Sequence, residues 1–134
     1  MLTVAASARL HLDYGWPLDL LGMQSADNAF DAMAFETPEC LNERVAVEVK
    51  RDAAGVRRLL KHLALCCAGE HADSCYAKGT RRNAHKKWVA INARRPPLFW
   101  AVGPYPVSRV FAVVHDEAGG VQLEEVSTDR LHFE

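Results

Sequence analysis

The stretch from Arg44 to Cys67 constrains this chain most, because the hydrophobic period changes within it from that of a strand to that of a helix. In Val45-Ala46-Val47-Glu48-Val49-Lys50, alternate side chains share a face, so Val45, Val47 and Val49 point one way while Glu48 and Lys50 point the other. Asp52 stands where an N-cap belongs. Ala53, Val56, Leu60, Leu63 and Cys67 follow at spacings of three and four, and Leu59 and Ala64 widen the stripe. A strand feeding directly into an amphipathic helix predicts a layered α/β domain. On the strand itself a carboxylate and an ammonium lie side by side above a buried sheet, a pattern that an ordinary half-solvated strand also produces.

Upstream, Asp31 opens a second apolar run, Ala32-Met33-Ala34-Phe35, and the polar, turn-rich residues 36–43 separate the two runs. Two strands joined by a loop of this length make a hairpin. Pairing them can bring Asp31 beside Glu48, where two carboxylates repel unless a divalent cation or a proton intervenes. That is a metal-site geometry in outline.

Asp31, the hairpin, Glu48-Val49-Lys50 and the following helix together resemble the core of the PD-(D/E)xK nuclease superfamily, whose usual motif is an acid, a gap and then acid-x-Lys on a strand. The resemblance spans about residues 28–68. It implies a restriction-endonuclease-like core in which Asp31, Glu48 and the Val49 carbonyl ligate Mg²⁺ or Mn²⁺. Lys50 would orient the attacking water or stabilise charge developing on the phosphoryl oxygens. The implied reaction is phosphodiester hydrolysis in DNA or RNA. Arg58 and Lys61, on the polar side of the helix, become candidates for phosphate contact, with a solvated helix face as the alternative. Small nucleases of this kind are often dimers, so a homodimer is implied as well. The glutamate that the family often carries on its first helix has no counterpart before Glu36, and Asp13 or Asp19 are the acids that can stand in for it.

At 134 residues, 49% of them hydrophobic and 25% charged, the chain is expected to form one domain over residues 1–134 with a single core. No apolar run reaches the ~18 residues of a membrane span, and Met1-Leu2-Thr3-Val4 lacks the basic region of a signal peptide, which predicts a cytoplasmic protein with no membrane partner. The net charge of −1 conceals a separation into blocks. Residues 1–49 carry eight acids and two bases, residues 74–115 carry eight bases and no acid, and residues 116–134 carry six acids and one base. The acid-free block either exposes a positive face that attracts phosphate or an acidic partner, or folds against the acidic ends of the same chain.

Leu2, Val4, Ala5, Ala8 and Leu12 fit one face of a short helix, with a strand as the alternative, and Gly15-Trp16-Pro17 ends it. Leu18, Leu20 and Leu21 form a short apolar element ahead of a loop from Gly22 to Asn28. Gly69 can close the central helix. A structural Zn²⁺ could in principle use Cys67, His71 and Cys75 with His62, His85 or Cys40, although the spacing is not that of a paired Cys-x-x-Cys knuckle, and Cys67 also suits the apolar stripe. Residues 78–93 read as a helix capped by Thr80, with Ala84, Trp88 and Ile91 in an apolar line and Trp88 as its anchor to the core. Arg81, Arg82, His85, Lys86 and Lys87 crowd around that line, and of these Arg81, Arg82, Lys86 and Lys87 are the candidate nucleic-acid contacts. Strands are expected at residues 98–102, 107–114 and 121–126, the last two as an antiparallel hairpin whose outer face carries acids such as Glu124, with Ser108-Arg109 as an exposed polar pair at its start.

The expectation is therefore an α/β (α+β) domain, with a mixed, mostly antiparallel sheet of about five strands flanked by about three helices on a nuclease-like core. Its expected function is metal-dependent phosphodiester hydrolysis. The main rival is a non-catalytic factor of the same fold, such as one from a phage or mobile element, that grips nucleic acid or an acidic protein partner through residues 78–95. A small metal-independent ribonuclease toxin, suggested by the basic stretch and terminal hairpin, is a third reading; it would leave Glu48 and Lys50 without a role.

Overall fold

The computed structural model describes residues 2–23, 30–39, 42–67, 80–115 and 120–133. Helix α1 (Leu2–Leu12) opens the chain, which settles helix over strand there, and the backbone then turns at Gly15 with φ of +78°, a conformation that glycine adopts without steric cost. The buried face of α1 is Ala6 and Leu10, not the expected line through Ala5, Ala8 and Leu12. Ala5 and Ala8 are exposed, Leu12 is 76% exposed, and the side chains of Leu2 and Val4 lie outside the described residues. A weakly patterned helix takes its buried face from the surface it lands on, here the sheet.

A 3₁₀ turn at Leu18–Leu20 leads into β1 (Leu21–Met23), followed by β2 (Ala32–Phe35) and β3 (Glu43–Val49). Two helices, α2 (Ala53–Cys67) and α3 (Thr80–Arg94), precede β4 (Leu98–Val102), β5 (Ser108–His115) and β6 (Val121–Val126), and a 3₁₀ turn at Thr128–Leu131 comes last. The strands lie in sequence order in one mixed six-stranded sheet, one strand more than expected. The additional strand is β1, only three residues long and too short to show a period of two. Every neighbouring pair is antiparallel except β3 and β4, which run parallel because the chain returns to the sheet through α2 and α3.

The sheet separates two apolar layers. On one side Met33, Phe35, Ala46, Phe99 and Phe111 pack with Val56, Leu59 and Leu63 of α2 and with Ala84, Ala90 and Ile91 of α3. On the other, Ala32, Ala34, Val45, Val47, Trp100 and Val110 pack with Ala6 and Leu10 of α1, Trp16, and Leu131 near the C-terminus. The Trp16 indole N–H donates to the Leu131 carbonyl at 2.6 Å, tying the two ends of the chain together. β3 is thus covered on both faces rather than half-solvated.

Asp52 caps α2, its Oδ1 accepting from the Gly55 backbone N–H at 2.7 Å. The stripe of α2 turns slightly from the expected one, with Leu59, Leu63 and Cys66 buried and Leu60 and Cys67 only half-buried. The Gly69 helix stop and most of the Gly22–Asn28 loop lie outside the described residues, although Gly22 itself belongs to β1. Strands β4 and β6 have the expected bounds, and β5 is displaced by one residue from 107–114. Among the described residues, no helix is long and apolar enough to cross a membrane.

Candidate metal centre

The β2–β3 pairing builds the centre. Ala32 faces Val47, and Asp31, just ahead of β2, donates its N–H to the Val47 carbonyl at 3.0 Å, which holds it beside the end of β3. Because Val47 lies in the α1 layer, Glu48, the next residue of β3, faces the helices, where Lys87 of α3 meets it, and the Asp31 carboxyl shares a hydrogen bond with it. The Asp31 carboxylate is held in turn, its Oδ2 accepting from the Val49 N–H at 2.8 Å. Beyond the end of β3, the Lys50 N–H donates to the Val102 carbonyl at 2.9 Å, which carries the parallel ladder one residue further and fixes the base of the Lys50 side chain.

Glu48 is the charge centre of the group. It is 5% exposed, and its Oε2 lies 3.4 Å from Lys50 Nζ and 3.0 Å from Lys87 Nζ. Burial pushes its carboxyl up to about 7. The Lys87 ammonium opposes that rise, while a hydrogen bond shared with the Asp31 carboxyl and the Asp31 charge add to it. Two carboxyls that share a hydrogen bond near neutrality are a donor set that a divalent cation fits, since the cation removes the repulsion that the proton otherwise relieves. Among the described residues, no group of three or more His, Cys, Asp or Glu side chains gathers. An ion here would therefore take two carboxylates and a backbone carbonyl, with water completing the shell, a set suited to Mg²⁺ or Mn²⁺.

The other expected site residues are placed differently. Arg58 and Lys61 are exposed on α2, and Arg82 and Lys86 are exposed on α3; the side chain of Arg81 lies outside the described residues. Lys87, expected on the exposed basic face, is instead 6% exposed and paired with Glu48. Its position was legible: Lys87 is three residues after Ala84 and four before Ile91, on the apolar stripe of the helix. Trp88 is half-buried against the same core, as an anchor should be. Neither stand-in for the first-helix glutamate joins the centre. Asp13 follows α1, whose layer lies on the opposite side of the sheet, and pairs with Arg9 at 3.7 Å, while Asp19 is exposed.

Of the zinc candidates, Cys40, His71 and Cys75 lie outside the described residues. Burial, with Cys66 beside it, pushes the Cys67 thiol up to about 11. The Ser108-Arg109 pair is used within the sheet: the Ser108 hydroxyl accepts from the Trp100 indole N–H at 2.8 Å, and Arg109 forms a two-pronged contact with Glu125 at 2.7 and 2.9 Å. A cavity of about 460 Å³ lined by Arg44, Arg130, His132, Trp16 and Phe133 opens at the other end of β3 and is separate from the carboxylates. Comparison with protein-family models, with curated proteins and with solved structures returns no match.

Proposed function

We propose that the protein is a metal-dependent nuclease-like phosphodiesterase of the restriction-endonuclease-like class, acting on cytoplasmic DNA or RNA through Asp31, Glu48 and Lys50. The observation that carries this reading is the hydrogen bond shared by the Asp31 and Glu48 carboxyls at the end of the β2–β3 hairpin, with the Lys50 ammonium on the same Glu48 carboxylate. Asp31, Glu48 and the Val49 carbonyl would hold Mg²⁺ or Mn²⁺, which when bound polarises the scissile phosphate and lowers the pKa of a coordinated water. The remaining work belongs to the chain. Asp31 keeps its orientation through the Val49 N–H, so that its carboxylate is set before substrate arrives. Lys50, at the mouth of the group and partly exposed, orients the attacking water or meets the charge that develops on the phosphoryl oxygens. Arg82 and Lys86, exposed on α3, and Arg58 and Lys61, exposed on α2, would attract the polyanion.

The test is titration calorimetry with Mn²⁺ on the wild type and on the Asp31→Ala/Glu48→Ala double variant, followed by cleavage assays on single- and double-stranded DNA and RNA. Binding by the wild type that is lost in the double variant, with Mn²⁺-dependent cleavage that Asp31→Asn abolishes, is the expected result. A folded wild type that neither binds Mn²⁺ nor cleaves, yet binds nucleic acid in a salt-sensitive way, would instead establish the non-catalytic binding factor.

A further inference from the structure

Lys87 has no part in the hydrolysis just described, yet it is the cation closest to Glu48. Its ammonium reaches the carboxylate from α3 at 3.0 Å, while Lys50 reaches the same oxygen from the end of β3 at 3.4 Å. The two lysines differ in surroundings: the side chain of Lys50 is 23% exposed and that of Lys87 only 7%. A buried ammonium is tolerated only where an opposite charge compensates it, and Glu48 supplies that charge. α3 is fixed to β3 a second time, two turns later, where Arg94 Nη1 meets Glu43 Oε2 at 3.3 Å. The helix is thereby anchored independently of Lys87, whose flexible four-carbon stem can move while α3 stays in place.

A divalent ion on Asp31 and Glu48 would bring two further positive charges onto the carboxylate that Lys87 already holds. In a buried setting such crowding of like charge is strongly unfavourable, and the lysine is the mobile partner. We infer that Lys87 is the resident counter-ion of the centre: it neutralises Glu48 in the metal-free protein, is exchanged for the divalent ion when that ion binds, and then presents its ammonium to a substrate phosphate. This rests on the metal-centre reading above and adds to it a phosphate-binding group that is exposed only in the metal-loaded state. A side chain held on Glu48 without metal cannot grip nucleic acid, so metal and substrate binding become coupled.

The test is amine-selective labelling of the full chain read by mass spectrometry, without metal and at saturating Mn²⁺, with calorimetry on the same samples. Lys61, exposed on α2, is the internal reference. Glu48→Gln, which removes the charge that holds Lys87, sets the labelling rate of the released amine, and the wild-type comparison stands without it should that variant fail to fold. Without metal, Lys87 should label roughly ten- to a hundredfold more slowly than Lys61, the factor expected for one charge-assisted hydrogen bond. With Mn²⁺ the difference should largely disappear while Lys61 is unchanged. Mn²⁺ binding with Lys87 still protected would overturn the exchange and leave the metal centre standing. Fast labelling of Lys87 without metal would overturn its role as counter-ion. Absence of Mn²⁺ binding would overturn the metal centre and this inference together.

Discussion

Glu48 is held between two ammoniums and a second carboxyl, and its burial outweighs the attraction of Lys87. Its carboxyl is raised from 4.5 to about 7, so between those two pH values the folded protein keeps a proton there that the unfolded chain has lost, and above about 7 the carboxylate carries the charge that faces Lys87. A raised acid contributes stability that is fully present below the unfolded value and is lost as pH rises through the folded one. Glu48 should therefore lower stability by at most about 3 kcal/mol between pH 4.5 and pH 8, taking about 1.4 kcal/mol for each pKa unit. Denaturant unfolding at several pH values, for the wild type and Glu48→Gln, should show that decline in the wild type and its absence in the variant; parallel profiles would mean that Glu48 titrates normally. The motif residues at this scale were readable because Asp31 and Glu48-x-Lys50 are local patterns. The burial of Lys87 was readable only to one who weighed its place on the stripe above its charge, since a lysine ordinarily keeps its head in water.

At the scale of elements, the register of β3 makes the difference. Ala34 pairs with Val45, but Phe35 pairs with Glu43, so Arg44 is an extra residue and the strand carries a β-bulge. Strict alternation would place Glu43 on the side of Val45 and Val47. The bulge turns it to the side of Phe35 and the helices, where Arg94 meets it. Lys87 to Glu48 and Arg94 to Glu43 then pair α3 with β3 in antiparallel sense. No sequence period announces a single inserted residue, which is why this tether escaped the reading of the chain alone. The Asp52 cap, by contrast, follows a rule of local chemistry. Asp52→Ala removes the acceptor for the Gly55 N–H and should cost about 1 kcal/mol in a denaturant titration, with no loss of sheet structure by circular dichroism.

For the whole molecule, the two apolar layers leave β3 and β4 covered on both faces, with Glu48 and Lys87 as buried charges on the helix side. The separation of charge along the sequence is partly resolved by folding. Lys87, Arg94 and Arg109 of the acid-free block pair with Glu48, Glu43 and Glu125, while Arg82, Lys86 and Arg95 remain exposed. Part of that block thus folds against the acids of the same chain, and part of it stays exposed. Under the proposed function, nucleic-acid affinity is expected to fall with rising salt, and replacing Arg82 and Lys86 by Gln should reduce the slope of log affinity against log salt by about one per cation. A slope that does not change would place the binding surface elsewhere.

The sequence by itself determined the strand–helix core, the capping of α2, and the bounds of β4 and β6, because each depends on residues a few positions apart. The tertiary structure decided which face of α1 is buried, how β3 is bulged, and that Lys87 closes on Glu48 across 39 residues of chain. Those outcomes depend on surfaces brought together from distant parts of the chain, where the cost of burying a charge is settled by the partner it finds rather than by its neighbours in sequence.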